Sequence, residues 1–138
     1  MNKAIIDTNL WISFLIGHQA GLVRRMLTDL RFDVYVCAQL IEEILDVANR
    51  DKIRKHLGPN DLDDLLDIIN AFCQFALIEA DISPMAIRDP KDLYLLALAD
   101  TIGADYIVSG DADLTDLGQY NQTRIIKLAD FKAMMQYL

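Results

Sequence analysis

Short apolar runs of strand length alternate with helical segments from one end of this chain to the other, and few folds accommodate that alternation. Residues 3–6, 32–37, 77–80, 105–108 and 123–128 read as strands, apolar and rich in β-branched or aromatic residues. Between them, apolar residues recur at helical spacing around Leu10–Leu15, Leu22–Leu30, Leu40–Val47, Leu62–Phe75 and Leu93–Ile102, with a last helix over 130–138. Glycines 17 and 21 flank a break between the first two helical runs, Gly58-Pro59-Asn60-Asp61 reads as a turn, and Gly103 stands where the penultimate helix should stop. Strand-helix alternation predicts an α/β fold: a parallel sheet of about five strands, right-handed crossovers and helices on both faces.

The 138 residues suit one domain over 1–138, able to bury about two thirds of the surface of its unfolded chain. No repeat, linker or low-complexity stretch divides it. Hydrophobic residues make up 53%, yet no apolar run nears the roughly 20 residues of a membrane span. With an acidic residue already at position 7, the start does not read as a signal peptide, so a cytoplasmic location is expected. Cys37 and Cys73 lie in apolar stretches without metal or redox spacing and read as buried free thiols. A net charge of −8 argues against general attraction to nucleic acid or anionic membranes. Binding to either would need a local basic patch, a basic partner or a bound cation.

Acidic residues follow the strands in a recurrent way. Asp7 comes directly after Ile5-Ile6, Glu42 and Glu43 come shortly after the strand at 32–37, and Asp111 and Asp113 follow Ile107-Val108-Ser109-Gly110. Asp89 and Asp92 precede the helix that leads to the 105–108 strand. In a parallel sheet these positions collect at the carboxyl ends of the strands, where ligands bind in such folds. Each acid also has a plainer reading: Asp7 as a helix cap, Asp92 as a partner of a helix dipole, Asp111 and Asp113 as turn residues, and Glu42 and Glu43 as a solvated helix face. Several carboxylates within a few ångströms repel one another unless hard cations neutralise them, and an all-oxygen site suits Mg²⁺ or Mn²⁺. The chemistry such a site serves is metal-assisted phosphodiester hydrolysis.

Four blocks resemble the PIN domain, a family of compact α/β metal-dependent ribonucleases. They are Ile5-Ile6-Asp7-Thr8-Asn9, Leu40-Ile41-Glu42-Glu43-Ile44-Leu45, Arg88-Asp89-Pro90-Lys91-Asp92 before Leu95-Leu96-Ala97-Leu98-Ala99, and Ile107-Val108-Ser109-Gly110-Asp111-Ala112-Asp113-Leu114. The resemblance implies that Asp7, Glu43, Asp92 and Asp111 form a catalytic quartet holding one or two divalent ions, with Asp113 as a further metal ligand. It assigns auxiliary roles to Asn9, Asp89 and Ser109, prefers Glu43 to Glu42, and implies Mg²⁺ or Mn²⁺ as cofactor and a 5′ phosphate product. It is strongest with the toxin components of bacterial toxin-antitoxin systems, which implies an antitoxin partner and a homodimer.

Single-stranded RNA would be the substrate, and Arg50, Lys52, Arg54 and Lys55 are the densest basic stretch available for phosphate contacts; a solvated helix end is the alternative reading of that stretch. His18 and His56 fall outside the acidic blocks. Residues Trp11, Phe14, Leu15, Leu22, Val23, Met26 and Leu27 exceed what one buried stripe needs, so they either fill the core or line a groove for a partner helix. Two other functions compete with the nuclease reading: a PIN-like module that binds RNA or metal without cutting, and an aspartate-nucleophile phosphatase of the haloacid dehalogenase type. The latter normally has a second Asp two residues after its nucleophile, where this chain has Asn9.

Overall fold

The structure is a computed structural model that describes residues 2–79 and 92–137. Strand β1 (Asn2–Ile6) leads into helix α1 (Thr8–Ile16) and α2 (Ala20–Leu27); β2 (Phe32–Val36) is followed by α3 (Ala38–Ala48), the single turn α4 (Asp51–Arg54) and α5 (Asp61–Phe72). Beyond β3 (Gln74–Phe75) the chain continues through α6 (Leu93–Ile102), β4 (Tyr106–Val108), the short α7 (Ala112–Thr115), β5 (Gln119–Tyr120), β6 (Thr123–Ile126) and α8 (Leu128–Tyr137). The sheet order is β3-β2-β1-β4-β6-β5, parallel except for β5, which pairs antiparallel with β6.

This is the expected α/β architecture with corrections at its margins. The sheet has six strands among the described residues, not about five. The third strand is Gln74–Phe75, and 77–79 of the expected 77–80 are not strand, because α5 ends at Phe72 and Leu77 is 80% exposed; Ala80 lies outside the described residues. Gly21 lies inside α2, so the break falls at Gly17–Gln19. The polar stretch after Asn49 contains a helical turn, and β5 forms through a two-residue reversal in which Asn121 has φ 51°, the left-handed region that Asn tolerates better than most residues. Gly103, at φ 67°, ends α6 as a left-handed cap, which a side chain would strain.

Burial explains the sheet order. In β1, at the centre, Ala4, Ile5 and Ile6 are fully buried, as a strand covered on both faces requires. In β2, nearer an edge, Phe32, Val34 and Val36 are buried while Asp33 and Tyr35 are only partly so, the alternation of a half-covered strand. The apolar excess in α1 and α2 fills the core: Trp11, Phe14, Leu15, Val23, Met26 and Leu27 are buried, and Leu22 packs against them half-buried. The Trp11 indole donates to the Ile6 carbonyl at 3.0 Å, so its one polar atom is satisfied. Helix α8 closes the fold with Phe131 edge-on to Phe32, 5.0 Å between centroids, while Arg31, paired with Asp29, also donates to the Met135 carbonyl. Cys37 and Cys73 are buried free thiols; burial pushes Cys37 above the usual thiol range and Cys73 up to about 12.

The order also fixes where a ligand can reach the sheet. From β1 the chain moves outward to β2 and β3, then returns past β1 to β4 and continues outward the other way. Right-handed crossovers in opposite directions put their helices on opposite faces. The connections therefore part between β1 and β4, opening a crevice beyond the carboxyl ends of those two strands.

Candidate active site

Asp7 and Ser109 occupy that crevice because each is the first residue past its strand. The Asp7 backbone N–H donates to the Val108 carbonyl at 3.0 Å, continuing the β1–β4 pairing by one step, and the Asp7 side chain is 3% exposed. Its backbone is that of a helix cap (φ −64°, ψ 151°), but its side chain makes no capping bond. The carboxylate instead accepts from the buried Ser109 hydroxyl, Oγ to Oδ2 2.7 Å. Ser109 Oγ accepts in turn from the Asp111 N–H at 3.0 Å, and Asp111 Oδ1 accepts from the Asp113 N–H at 2.9 Å. One hydrogen-bonded chain thus joins the ends of β1 and β4. The capping reading fails for Asp7, whereas Asp111, read as a turn residue, caps the single turn α7.

Glu43 comes to the same place from α3. Its Oε2 accepts from Thr8 Oγ1 at 2.8 Å and Tyr94 OH at 2.7 Å, so Glu43 faces the residue next to Asp7 while Glu42 is exposed. Asp92 immediately precedes α6 as its N-cap, half-buried and with no side-chain capping bond. Burial is the largest cause that holds the Asp7 carboxyl above its ordinary range, and the negative charges of Asp111 and Glu43 add to it; hydrogen bonds from the Ser109 hydroxyl and the Thr8 backbone N–H oppose the rise. Burial and the neighbouring Glu43 and Asp7 likewise raise the Tyr94 hydroxyl, keeping it protonated as a donor.

The other positions are less closely tied. Asn9 is exposed in the first turn of α1, Asp113 is half-buried, and Asp89 lies outside the described residues. Arg50, Lys52, Arg54 and Lys55 are exposed on and around α4, and Arg50 is paired with Asp46 at 3.0 Å. Because α3 starts at the carboxyl end of β2 and runs back along the sheet for eleven residues, this basic stretch stands about 16 Å from that end. Thr8 and Tyr94 were not singled out from the sequence as site residues. A signal for Tyr94 existed: it is the only residue with a polar side chain in the run Leu93–Ala99, and a buried phenol needs a hydrogen-bond partner.

A divalent cation fits this donor set by chemistry. The groups are carboxylates, and the Asp7 carboxyl, raised chiefly by burial and further by the charges of Asp111 and Glu43, is one whose ionised form a hard cation would favour. Among the described residues, however, no three His, Cys, Asp or Glu side chains form a ready-made ligand group. Two of the carboxylates are engaged elsewhere, Glu43 Oε2 by hydroxyls and Asp111 Oδ1 by a backbone N–H, and like charges favour separation.

A family model described as the PIN domain matches residues 3–113. The chain belongs to the PIN-domain family. No curated protein matches it in a sequence search. PIN domains are typically nucleases and generally depend on divalent metal, and membership removes the ground for the haloacid dehalogenase reading. The crevice of this PIN domain lies at the switch point of its sheet, and no helix among the described residues is long and apolar enough to cross a membrane.

Proposed function

We propose that this PIN domain is an endoribonuclease that hydrolyses phosphodiester bonds in single-stranded RNA with Mg²⁺ or Mn²⁺, and that it acts as the toxin of a toxin-antitoxin pair. The observation that carries the nuclease reading is the chain Asp7–Ser109–Asp111 at the β1/β4 switch point, with Glu43 brought alongside by Thr8. Acids serving only as caps or solvated faces would have no reason to gather around a buried Asp7.

Asp7, Glu43, Asp92 and Asp111 would hold the cation, with Asp113 as the marginal ligand. When bound, it would supply charge stabilisation at a scissile phosphate and a more acidic attacking water. The chain's own residues set the stage for that chemistry. Ser109 fixes one oxygen of Asp7 and, through the Asp111 N–H, the start of the Asp111 loop, while the fully buried Ile6 and Val108 keep water from reaching Asp7 from behind. Asn9, exposed two residues on from Asp7, would donate to a substrate phosphate. Lys52, Arg54 and Lys55 are exposed for contacts to RNA beyond the scissile bond, which would make binding salt-dependent but indifferent to sequence.

The test is cleavage of single-stranded RNA by purified protein with Mn²⁺ or Mg²⁺, comparing wild type with Asp7→Asn and Asp92→Asn. Each variant should lose on the order of a hundredfold or more in rate, as removal of a group that stabilises transition-state charge does. Cleavage that survives both substitutions, or excess chelator, would sink the mechanism, and no cleavage by any form would favour a binding module. The toxin assignment rests on the likeness of the four sequence blocks to toxin members of the family. A small adjacent gene encoding a DNA-binding pattern would support it.

A further inference from the structure

Glu43 projects from the middle of α3, yet two hydroxyls from two other helices grip one of its oxygens. Thr8 Oγ1, at the start of α1, lies 2.8 Å from Oε2, Tyr94 OH, in the first turn of α6, lies 2.7 Å from it, and the two hydroxyls are 3.3 Å apart. Each hydroxyl has one proton to give, and an sp² carboxylate oxygen has two lone pairs to receive. With both protons directed to Oε2, that oxygen is saturated, and Oε1 is the one left to bind a ligand.

The sequence positions of the two donors matter. Thr8 directly follows Asp7, and Tyr94 stands two residues after Asp92, the N-cap of α6. A single glutamate oxygen therefore ties the backbone beside Asp7 to the backbone beside Asp92. A free glutamate on a half-exposed helix position has three side-chain torsions, and the charge of Asp7 would drive it outward. Tyr94 resists that movement: it is 7% exposed, its ring is packed into the core, and its only soft torsions are those that aim the ring. Packing alone does not call for the hydroxyl, since Leu95, Leu96, Ala97, Leu98 and Ala99 fill the rest of the helix with apolar groups and a phenylalanine would bury as well.

We propose that Tyr94, acting with Thr8, is a positioning residue that holds Glu43 Oε2 so that Oε1 stays turned to the acidic crevice for a divalent cation. This rests on the assignment of Glu43 as a cation ligand made above. A clamp that served only to tie helices together would affect the stability of the fold and leave cation affinity alone.

The full chain can separate these roles by direct Mn²⁺ binding, read as the electron paramagnetic resonance signal of free Mn²⁺, alongside melting without metal and RNA cleavage against Mn²⁺ concentration. Tyr94→Phe should fold, melt near wild type and bind Mn²⁺ about tenfold or more weakly, the usual effect of removing a group that orients a ligand. Its cleavage should fall by a similar factor at low Mn²⁺ and recover at high Mn²⁺. Thr8→Val should weaken binding in the same direction, and Thr8→Ser, which restores the hydroxyl, should reverse the loss. Wild-type Mn²⁺ affinity in Tyr94→Phe, with affinity lost in Glu43→Gln, would overturn the positioning role and leave Glu43 as a ligand. Wild-type affinity in Glu43→Gln would overturn the ligand assignment and the positioning role with it. Should Tyr94→Phe fail to fold, equal Mn²⁺ affinity in Thr8→Val and Thr8→Ser would overturn the clamp.

Discussion

The molecule carries two acidic regions built on opposite principles. In α5, Asp61, Asp63 and Asp64 occupy the first turn with Asp67 one turn on; the last three are exposed, while Asp61 accepts from the Gly58 N–H at 2.7 Å and lies 3.3 Å from His18. Carboxylates there meet water and the positive end of a helix dipole, which favours their charge. At the switch point, Asp7 is buried beside Asp111 and Glu43, and both burial and charge disfavour its ionised form. Acids of the first kind stabilise the helix that bears them, whereas Asp7 costs the fold. A costly group held in place by Ser109, at the point of the sheet open to ligands, is better explained by what it binds than by what it packs against.

The same substitution in the two regions would break or sharpen that contrast. The largest difference should be in activity: Asp7→Asn should all but abolish RNA cleavage, while Asp64→Asn should leave it within about twofold of wild type, because Asp64 stands on a solvated helix turn. Comparable losses in both variants would erase the distinction.

Stability should move in opposite directions. Asp7→Asn should raise it in metal-free buffer at neutral pH by about 1 kcal/mol, or about 4 °C in Tm, the scale on which relief of a functional strain stabilises a fold. The sign follows from the raised folded-state pKa of Asp7. The unfolded chain ionises near the ordinary value of 3.8 and the folded chain only at higher pH, so the penalty grows as pH rises through that window and is fully present above it. The advantage of Asp7→Asn should therefore shrink as pH falls through the window and vanish below it, as melting curves across pH would record. The smallest effect is expected from Asp64→Asn, a loss of about 0.3–1 kcal/mol at low ionic strength that fades in salt.

The contrast was partly legible in the sequence. Strand-helix alternation and an acid at or just beyond the end of an apolar run were enough to place Asp7 and Asp111 at the carboxyl edge, because a buried strand's end is marked by its first polar residue, here Asp7 and Ser109. Burial and partners were not legible. Helical spacing alone could not decide between Glu42 and Glu43, since a helix face is chosen by what packs against it, here Thr8 and Tyr94. Nor could it tell that Asp7 declines the cap its backbone offers in favour of Ser109, a residue 102 positions away. The short elements escaped for a related reason: β3, β5, α4 and α7 have two to four residues each, too few for any periodicity to register.

The central claim is that the charges at the switch point are held for a cation, and thermal melting with added Mn²⁺ tests it most directly. Wild-type protein should gain Tm steadily as Mn²⁺ rises to millimolar concentration, by the stabilisation that a ligand of the folded state alone must give, and Asp7→Asn should start higher and gain little. A wild-type melting temperature indifferent to both Mn²⁺ and Mg²⁺, or an equal gain in Asp7→Asn, would contradict the account.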